Sequence, residues 1–172
     1  MRRRPSLMIL RSYPVKSLVA VLALALTLCG PAYAADPDAK ARAEVLAQLD
    51  RFFVAMSARD AKTWTEISLP DASTLVQNFA ADGRVTLRRG AVKDMIDHLP
   101  GGPAMSEGVW KPTVLIRGPM AVVWAPYEFK LEGKSHHCGI DLFEFMQVDG
   151  AWKIADIKWT SEPRACAELD AR

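Results

Sequence analysis

The chain has 172 residues, 22 Lys+Arg against 20 Asp+Glu, 50% hydrophobic residues and three cysteines. The basic excess belongs to residues 1–34 (Arg2, Arg3, Arg4, Arg11, Lys16); from Ala35 onward 17 Lys+Arg face 20 Asp+Glu, a net charge of −3. No basic cluster remains there to follow a phosphate backbone, so nucleic acid is excluded as the expected partner, and a stretch of this size suits one domain with its own core.

Residues 1–34 have the parts of a secretory signal: a basic start, an apolar run from Leu18 to Cys29, and Ala32-Tyr33-Ala34 as a small-x-small cleavage site. Cleavage is expected after Ala34, leaving residues 35–172 as a single domain in the periplasm or outside the cell. The apolar run is short for a bilayer span, so no membrane association is expected after cleavage. Cys138 and Cys166 are then the remaining cysteines, and in an oxidising compartment a pair is first a disulfide.

Asp36-Pro37 offers a helix start, and Val45, Leu49, Phe52, Phe53 and Met56 beyond it recur at helical spacing on one stripe. Asp60 can cap a second, shorter helix that turns Trp64 and Ile67 the same way and is expected to end at Pro70. A third spans residues 91–99, with Val92, Met95, Ile96 and Leu99 on one side and Pro100-Gly101-Gly102-Pro103 as its stop. Short strands at 74–79 and 84–88 flank the turn signal Asp82-Gly83. Long strands follow at 108–117, 120–131, 135–148 and 151–160, joined by Gly118-Pro119, Glu132-Gly133 and Asp149-Gly150, the last a strong hairpin signal. Helices first and a strand meander afterwards predict an α+β domain with three N-terminal helices packed on a strongly curved antiparallel sheet.

With Asp149-Gly150 as a two-residue loop, Val148 pairs with Ala151, Phe145 with Ile154, Phe143 with Asp156 and Asp141 with Lys158. One face then has an apolar floor (Phe143, Phe145, Trp152, Ile154) and a polar far end (Asp141, Asp156, Lys158, Thr160), the pattern of a ligand pocket. The other face, with Ile140, Leu142, Met146, Ile157 and Trp159, is apolar too and needs a cover, for which a second subunit is expected. A bulge would exchange the faces, so which one is inside stays open at this point.

In the same register Cys138 lies opposite Ser161, and Cys166 follows five residues later, close enough for the tail to fold back and bond it. The segment GKSHHCGIDLFEF (133–145) raises a metal reading as well: His136 and Cys138 share a strand face. The only other histidine outside it, His98, sits on the third helix; two ligands do not hold zinc, so no metal is expected. For acid–base chemistry Tyr127, His137, Asp141 and Asp156 could converge at the open end of the sheet, although Asp141 could equally pair with Lys158 and Tyr127 be core. Trp110, Trp124, Tyr127, Phe143, Trp152 and Trp159 are the candidate pocket residues.

From about Asp38 to Leu169 the chain resembles the nuclear transport factor 2-like superfamily, through VVWAPYEF (122–129), GKSHHCGIDLFEF (133–145), WKIADIKWT (152–160) and PRAC (163–166) in that order. It is most similar to an exported bacterial branch of lumazine-binding type. The resemblance implies a cone-shaped, cystatin-like roll of three helices against a bent sheet. That branch usually has one histidine between the serine and the cysteine; alignment makes His137 its counterpart and His136 an extra residue. The fold hosts isomerases, dehydratases, cyclases and non-catalytic modules, so it does not hand over an activity. The isomerase acid and base pattern has no match here.

The expected function is therefore an exported homodimeric protein that binds a small apolar or aromatic molecule, with no cofactor. The alternatives are a lyase or isomerase that abstracts a proton beside a carbonyl (Asp141 or Asp156 as base, His137 as acid or orienter, Tyr127 as oxyanion donor) and an accessory module that docks another envelope protein through its sheet.

Overall fold

The computed structural model describes residues 37–170, and side chains through Leu169. The predicted signal segment and its Ala34 cleavage site lie outside the described residues. Helix α1 (Ala39–Ala58) buries the predicted stripe, Val45, Leu49, Phe52, Phe53 and Met56. It starts at Ala39, with Asp38 rather than Asp36 at the N-cap position. It stops at Arg59, whose left-handed backbone (φ 57°) turns the chain so that the Asp60 amide reaches back to the Ala55 carbonyl at 2.8 Å. Asp60 then caps helix α2 (Ala61–Ile67), accepting from the Thr63 amide at 3.0 Å. Trp64 of α2 stacks on Phe52 at 4.6 Å and donates its indole N–H to the Phe52 carbonyl at 2.9 Å, locking the two helices together.

Proline 70 does not end α2. The helix stops at Ile67 and strand β1 (Ser68–Phe79) begins at once, with Pro70 inside it. The ladder of β1 on its neighbour is interrupted between Ser68 and Ser73, where a residue without an N–H is tolerated. Strand β2 (Val85–Ala91) returns antiparallel to β1, and helix α3 (Val92–His98) follows.

The single strand expected at 108–117 is two, β3 (Met105–Val109) and β4 (Thr113–Arg117). Between them Lys111 takes a left-handed conformation (φ 47°) just before Pro112, which cannot donate to a ladder. Both pair with β5 (Met120–Leu131): β3 along Tyr127–Leu131 and β4 along Met120–Trp124. Strands β6 (Lys134–Val148) and β7 (Ala151–Ser161) complete the sheet, and the chain closes with helix α4 (Cys166–Asp170). In the β5–β6 and β6–β7 hairpins both loop residues are left-handed (Glu132 50°, Gly133 74°; Asp149 51°, Gly150 78°), the twist that matches the flanking strands.

The seven-stranded sheet runs β2-β1-β7-β6-β5-β3, with β4 also on β5. It is antiparallel except between β1 and β7, which are parallel, so the sheet is mixed where the sequence predicts antiparallel pairing throughout. A parallel pair needs a long crossover, and everything from β2 to β6 supplies it.

Two bulges set the faces. Val148 pairs with Ala151 and Phe145 with Ile154 as predicted, but Ala155 has no partner, and beyond it Phe143 opposes Ile157 and Asp141 opposes Trp159. The predicted pairs Phe143 with Asp156 and Asp141 with Lys158 are thus wrong by one residue, and Cys138 opposes Glu162 rather than Ser161. The slip turns Ile157 and Trp159 to the inner face and Asp156 and Lys158 to the outer one. The second bulge is His136: Phe129 opposes His137 while Lys130 opposes Ser135, so His136 is the surplus residue of β6.

The inner face (Ala121, Val123, Phe143, Phe145, Ile154, Ile157) packs on α1, α2 and α3 to form the core. The outer face leaves apolar side chains in the open, with Leu87 62%, Leu115 67% and Trp124 52% exposed.

Candidate functional site

The curl of the sheet and the three helices border a partly open cavity of about 170 Å³. Phe52 and Met56 of α1, Trp64 of α2 and Met95 of α3 form its helical side. The sheet side is aromatic and aliphatic as well (Phe129, Phe143, Ile157, Trp159), with Met105 at the β3 edge. Three polar side chains complete the lining: Glu107, His137 and Asp141.

These three reach the cavity by strand alternation. On β3, Met105 and Glu107 point inward, Glu107 lying opposite Phe129, which in turn lies opposite His137. Asp141 follows His137 by four residues on β6 and so shares its face. Asp141 is 3% exposed, and its Oδ2 meets no hydrogen-bond donor of the protein. Its carboxyl lies within hydrogen-bonding reach of that of Glu107. Two carboxyl groups can share a hydrogen bond only when one carries a proton, so the pair holds at least one.

Burial pushes Glu107 up to about 7, the bond from Asp141 opposing this only in part. Asp141 rises well above the ordinary carboxyl range, through burial first, then the charge of Glu107 and the bond to it. Glu107 borders the cavity and is half-buried by accessible surface, yet its carboxyl lies deep enough that desolvation dominates. Both carboxyls are thus held above the ordinary carboxyl range, and the two titrate as a pair.

His137 packs between Phe129 (5.1 Å between ring centres) and Tyr127 (5.6 Å). Burial, and secondarily the charge of His136, bring it down to about 4, so it is a neutral imidazole at neutral pH. Its Nδ1 lies 2.8 Å from Nδ1 of His136, a contact in which one ring donates and the other accepts.

Tyr127 does not present an oxyanion donor. It is fully buried opposite Gly139, and its hydroxyl donates to the Thr160 carbonyl at 2.7 Å. Burial first, then the charges of Asp141, Glu107 and Glu162, raise its phenol and keep it neutral. The glycine is required: a Cβ at Gly139 would lie 2.0 Å from the same carbonyl oxygen.

Asp156 lies on the other side of the sheet from Asp141. It accepts from the Ser73 amide at 3.1 Å and from the Ser73 hydroxyl, and pairs with Lys158 at 3.6 Å. Burial works to raise it, but Ser73 and Lys158 outweigh that and hold it below its usual value. Asp141 has no pairing with Lys158, whose ammonium bonds Glu144 on the outer face.

Of the candidate pocket residues, Phe143 and Trp159 line the cavity. Trp152 is buried at the floor, its indole N–H 3.3 Å from Glu44. Trp110 donates to the Leu169 carbonyl at 3.0 Å and anchors the C-terminal turn. Trp124 stands on the outer face beside Leu75, Leu87, Ile140 and Leu142. Cys138 and Cys166 are within disulfide distance, their sulfurs 2.08 Å apart. Cys138 is thereby taken from any metal set, and among the described residues no three His, Cys, Asp or Glu side chains gather around a common point.

Glu107 is not among the sequence candidates because the strand expected from Gly108 in fact begins three residues earlier, at Met105. The alternation Met105, Glu107, Val109 was the available signal, and it needed the β3–β4 break to be seen.

No protein-family model matches the chain, and no curated protein does. Solved structures do. An NTF2-like protein with a cystatin-like fold from Novosphingobium aromaticivorans superposes with a TM-score of 0.56 at 16% identity, over 92% of this chain and 96% of that one. An NTF2-like protein from Cytophaga hutchinsonii gives 0.57 at 16% identity, over 70% and 97%. A Novosphingobium aromaticivorans protein assigned as the beta subunit of an aromatic-ring-hydroxylating dioxygenase gives 0.59 at 11% identity, over 74% and 92%. The chain has the nuclear transport factor 2-like fold, an α+β cone of the cystatin-like kind.

Proposed function

We propose that this protein binds a small molecule of about one ring in the cavity between its helices and the inner face of its sheet. The observation that carries the reading is a partly open, mostly apolar cavity of about 170 Å³ that ends in the buried Asp141 and the half-buried Glu107. A void of roughly 150 Å³ accommodates benzene, so the space suits a single ring and is small for a fused ring system. Trp64 and Trp159 line the cavity and report on its occupancy. Titrating the protein with single-ring and fused-ring compounds should change tryptophan fluorescence and raise the melting temperature for the former only; a library of single-ring compounds that moves neither signal removes the reading.

The location that goes with it is the periplasm or the outside of the cell. The signal-like residues 1–34 and the Cys138–Cys166 pair support export. Among the described residues no helix is long and apolar enough to cross a membrane.

A second reading, proton transfer, is favoured by the facing carboxyls. A carboxylate near 7 is suited to act as general base at neutral pH, and a neutral carboxylic acid beside it can donate to a carbonyl oxygen. In this reading Glu107 is the base and Asp141 the donor. Asp156 and Tyr127 take no part, since one is outside the cone and the other is bonded to Thr160. A screen of enones and hydroxyketones tests it: turnover should be lost in Glu107→Gln with binding retained, and an absence of turnover throughout leaves binding as the function.

A further inference from the structure

The polar end of the cavity is acidic and has no cation beside it. Glu107 and Asp141 meet there, and Asp141 Oδ2, at a residue 3% exposed, has no donor from the protein. Among the described residues His137 is the only basic side chain in the lining, and it is neutral. The remaining ionisable neighbours from the sheet are the Tyr127 hydroxyl, which is given to Thr160, and Glu162, which accepts from the Thr160 hydroxyl at 2.6 Å. The helices contribute Phe52, Met56, Trp64 and Met95, none of which titrates. Around the carboxyls the walls are aromatic, and aromatic faces attract cations.

We propose that this end of the cavity is a site for an organic ammonium group carried on a single small ring, with Asp141 and Glu107 accepting its N–H groups and the aromatic lining holding the ring. The proposal rests on the reading of the cavity as a ligand site and deepens it. Three classes of ligand compete for such an end. A carboxylate is repelled by it. An alcohol satisfies one oxygen and leaves the second carboxyl no reason to ionise. A protonated amine offers up to three donors and a positive charge, which satisfy Oδ2 and offset the burial of negative charge. Met56, Met95 and Met105 at the cavity wall give it the adaptability to admit the extra aminomethyl group beyond a bare ring.

Binding then has a proton balance. The free pair holds at least one proton; the ammonium keeps its own and displaces that of the pair into solvent, as the carboxyls ionise against the new cation. No bond other than O–H is broken.

The test is calorimetry of the full chain with benzylamine, benzyl alcohol and benzoate near pH 6.5, repeated in buffers of different ionisation heat. Benzylamine should bind at least tenfold more tightly than benzyl alcohol, release about one proton per site and gain affinity as pH rises from 5 to 8; benzoate should bind most weakly. In Glu107→Gln and in Asp141→Asn, each checked for cooperative unfolding, the ratio of amine to alcohol affinity should collapse and proton release should fall away, whereas Asp156→Asn on the outer face should behave as wild type. Benzyl alcohol binding as well as benzylamine, or benzylamine binding without proton release, overturns the inference while leaving the cavity a ligand site. Failure of all three compounds to bind overturns both.

Discussion

Two acidic side chains dominate the chemistry of the cavity, and their energetics have a definite sign. An acid whose pKa is raised by folding binds more protons in the folded state than in the unfolded state. Its contribution to stability is therefore lost as pH rises from the unfolded value through the folded one, here from about 4.5 to about 7 for Glu107. His137 works in the opposite sense: lowered to about 4, it costs stability as pH falls through its ordinary value. The wild-type curve mixes these with Asp141, which is raised in the same sense as Glu107, and Glu107→Gln removes the Glu107 contribution from it. The variant should be more stable than wild type at pH 8, by on the order of 2 kcal/mol, with the gap closing near pH 4.5. Urea unfolding of both proteins across that range measures the gap; a gap that is constant with pH would mean Glu107 titrates normally. Asp141 was legible in the sequence as a candidate, since an acid in the strand GIDLFEF (139–145) stands out. Its partner was not, because the contact is between strands 34 residues apart and nothing local couples them.

At the scale of elements, single surplus residues decide which side chains see the cavity. Ala155 moves Trp159 in and Lys158 out, and His136 takes up the extra histidine of SHHC without disturbing His137. The hairpin turns were legible because their chemistry is local: Asp-Gly and Glu-Gly adopt left-handed angles that fix both strands for several residues. A bulge has no comparable signal, since alanine and histidine serve equally in a regular strand, and so the register derived from Asp149-Gly150 held only as far as Phe145. The tail is a second element-level device. Cys166 at the start of α4 is tied to Cys138 across 28 residues, which in the chain-entropy model stabilises the fold by roughly 3 to 4 kcal/mol. Cys166→Ser should lower the unfolding free energy by about that amount under oxidising conditions and make it insensitive to reductant, as denaturant titrations with and without a thiol would record. Equal stability in both proteins would mean the bond is not formed.

For the molecule as a whole, the open question is the outer face. Leu87, Leu115 and Trp124 are more than half exposed there, around a centre that carries Lys158, Glu144 and Asp156. A patch of this kind is usually covered, and a second copy of the chain is the cover the apolarity supports. Sedimentation of the protein should give a dimer, and Trp124→Glu should yield a monomer that still unfolds cooperatively; a wild-type monomer would instead favour docking to a different protein. The three N-terminal helices and the hairpins of the long strands could be read from the sequence, because they rest on short-range periodicity, capping and turn chemistry; the cysteine pair followed from the expected compartment, and the cone fold from the resemblance of four motifs. Closure of the sheet by a parallel β1–β7 pair, the turning of Trp159 inward and Asp156 outward, and the meeting of Glu107 with Asp141 were decided only in three dimensions. Those features depend on which strands become neighbours and on one-residue slips between them, and neither leaves a trace in the local pattern of residues.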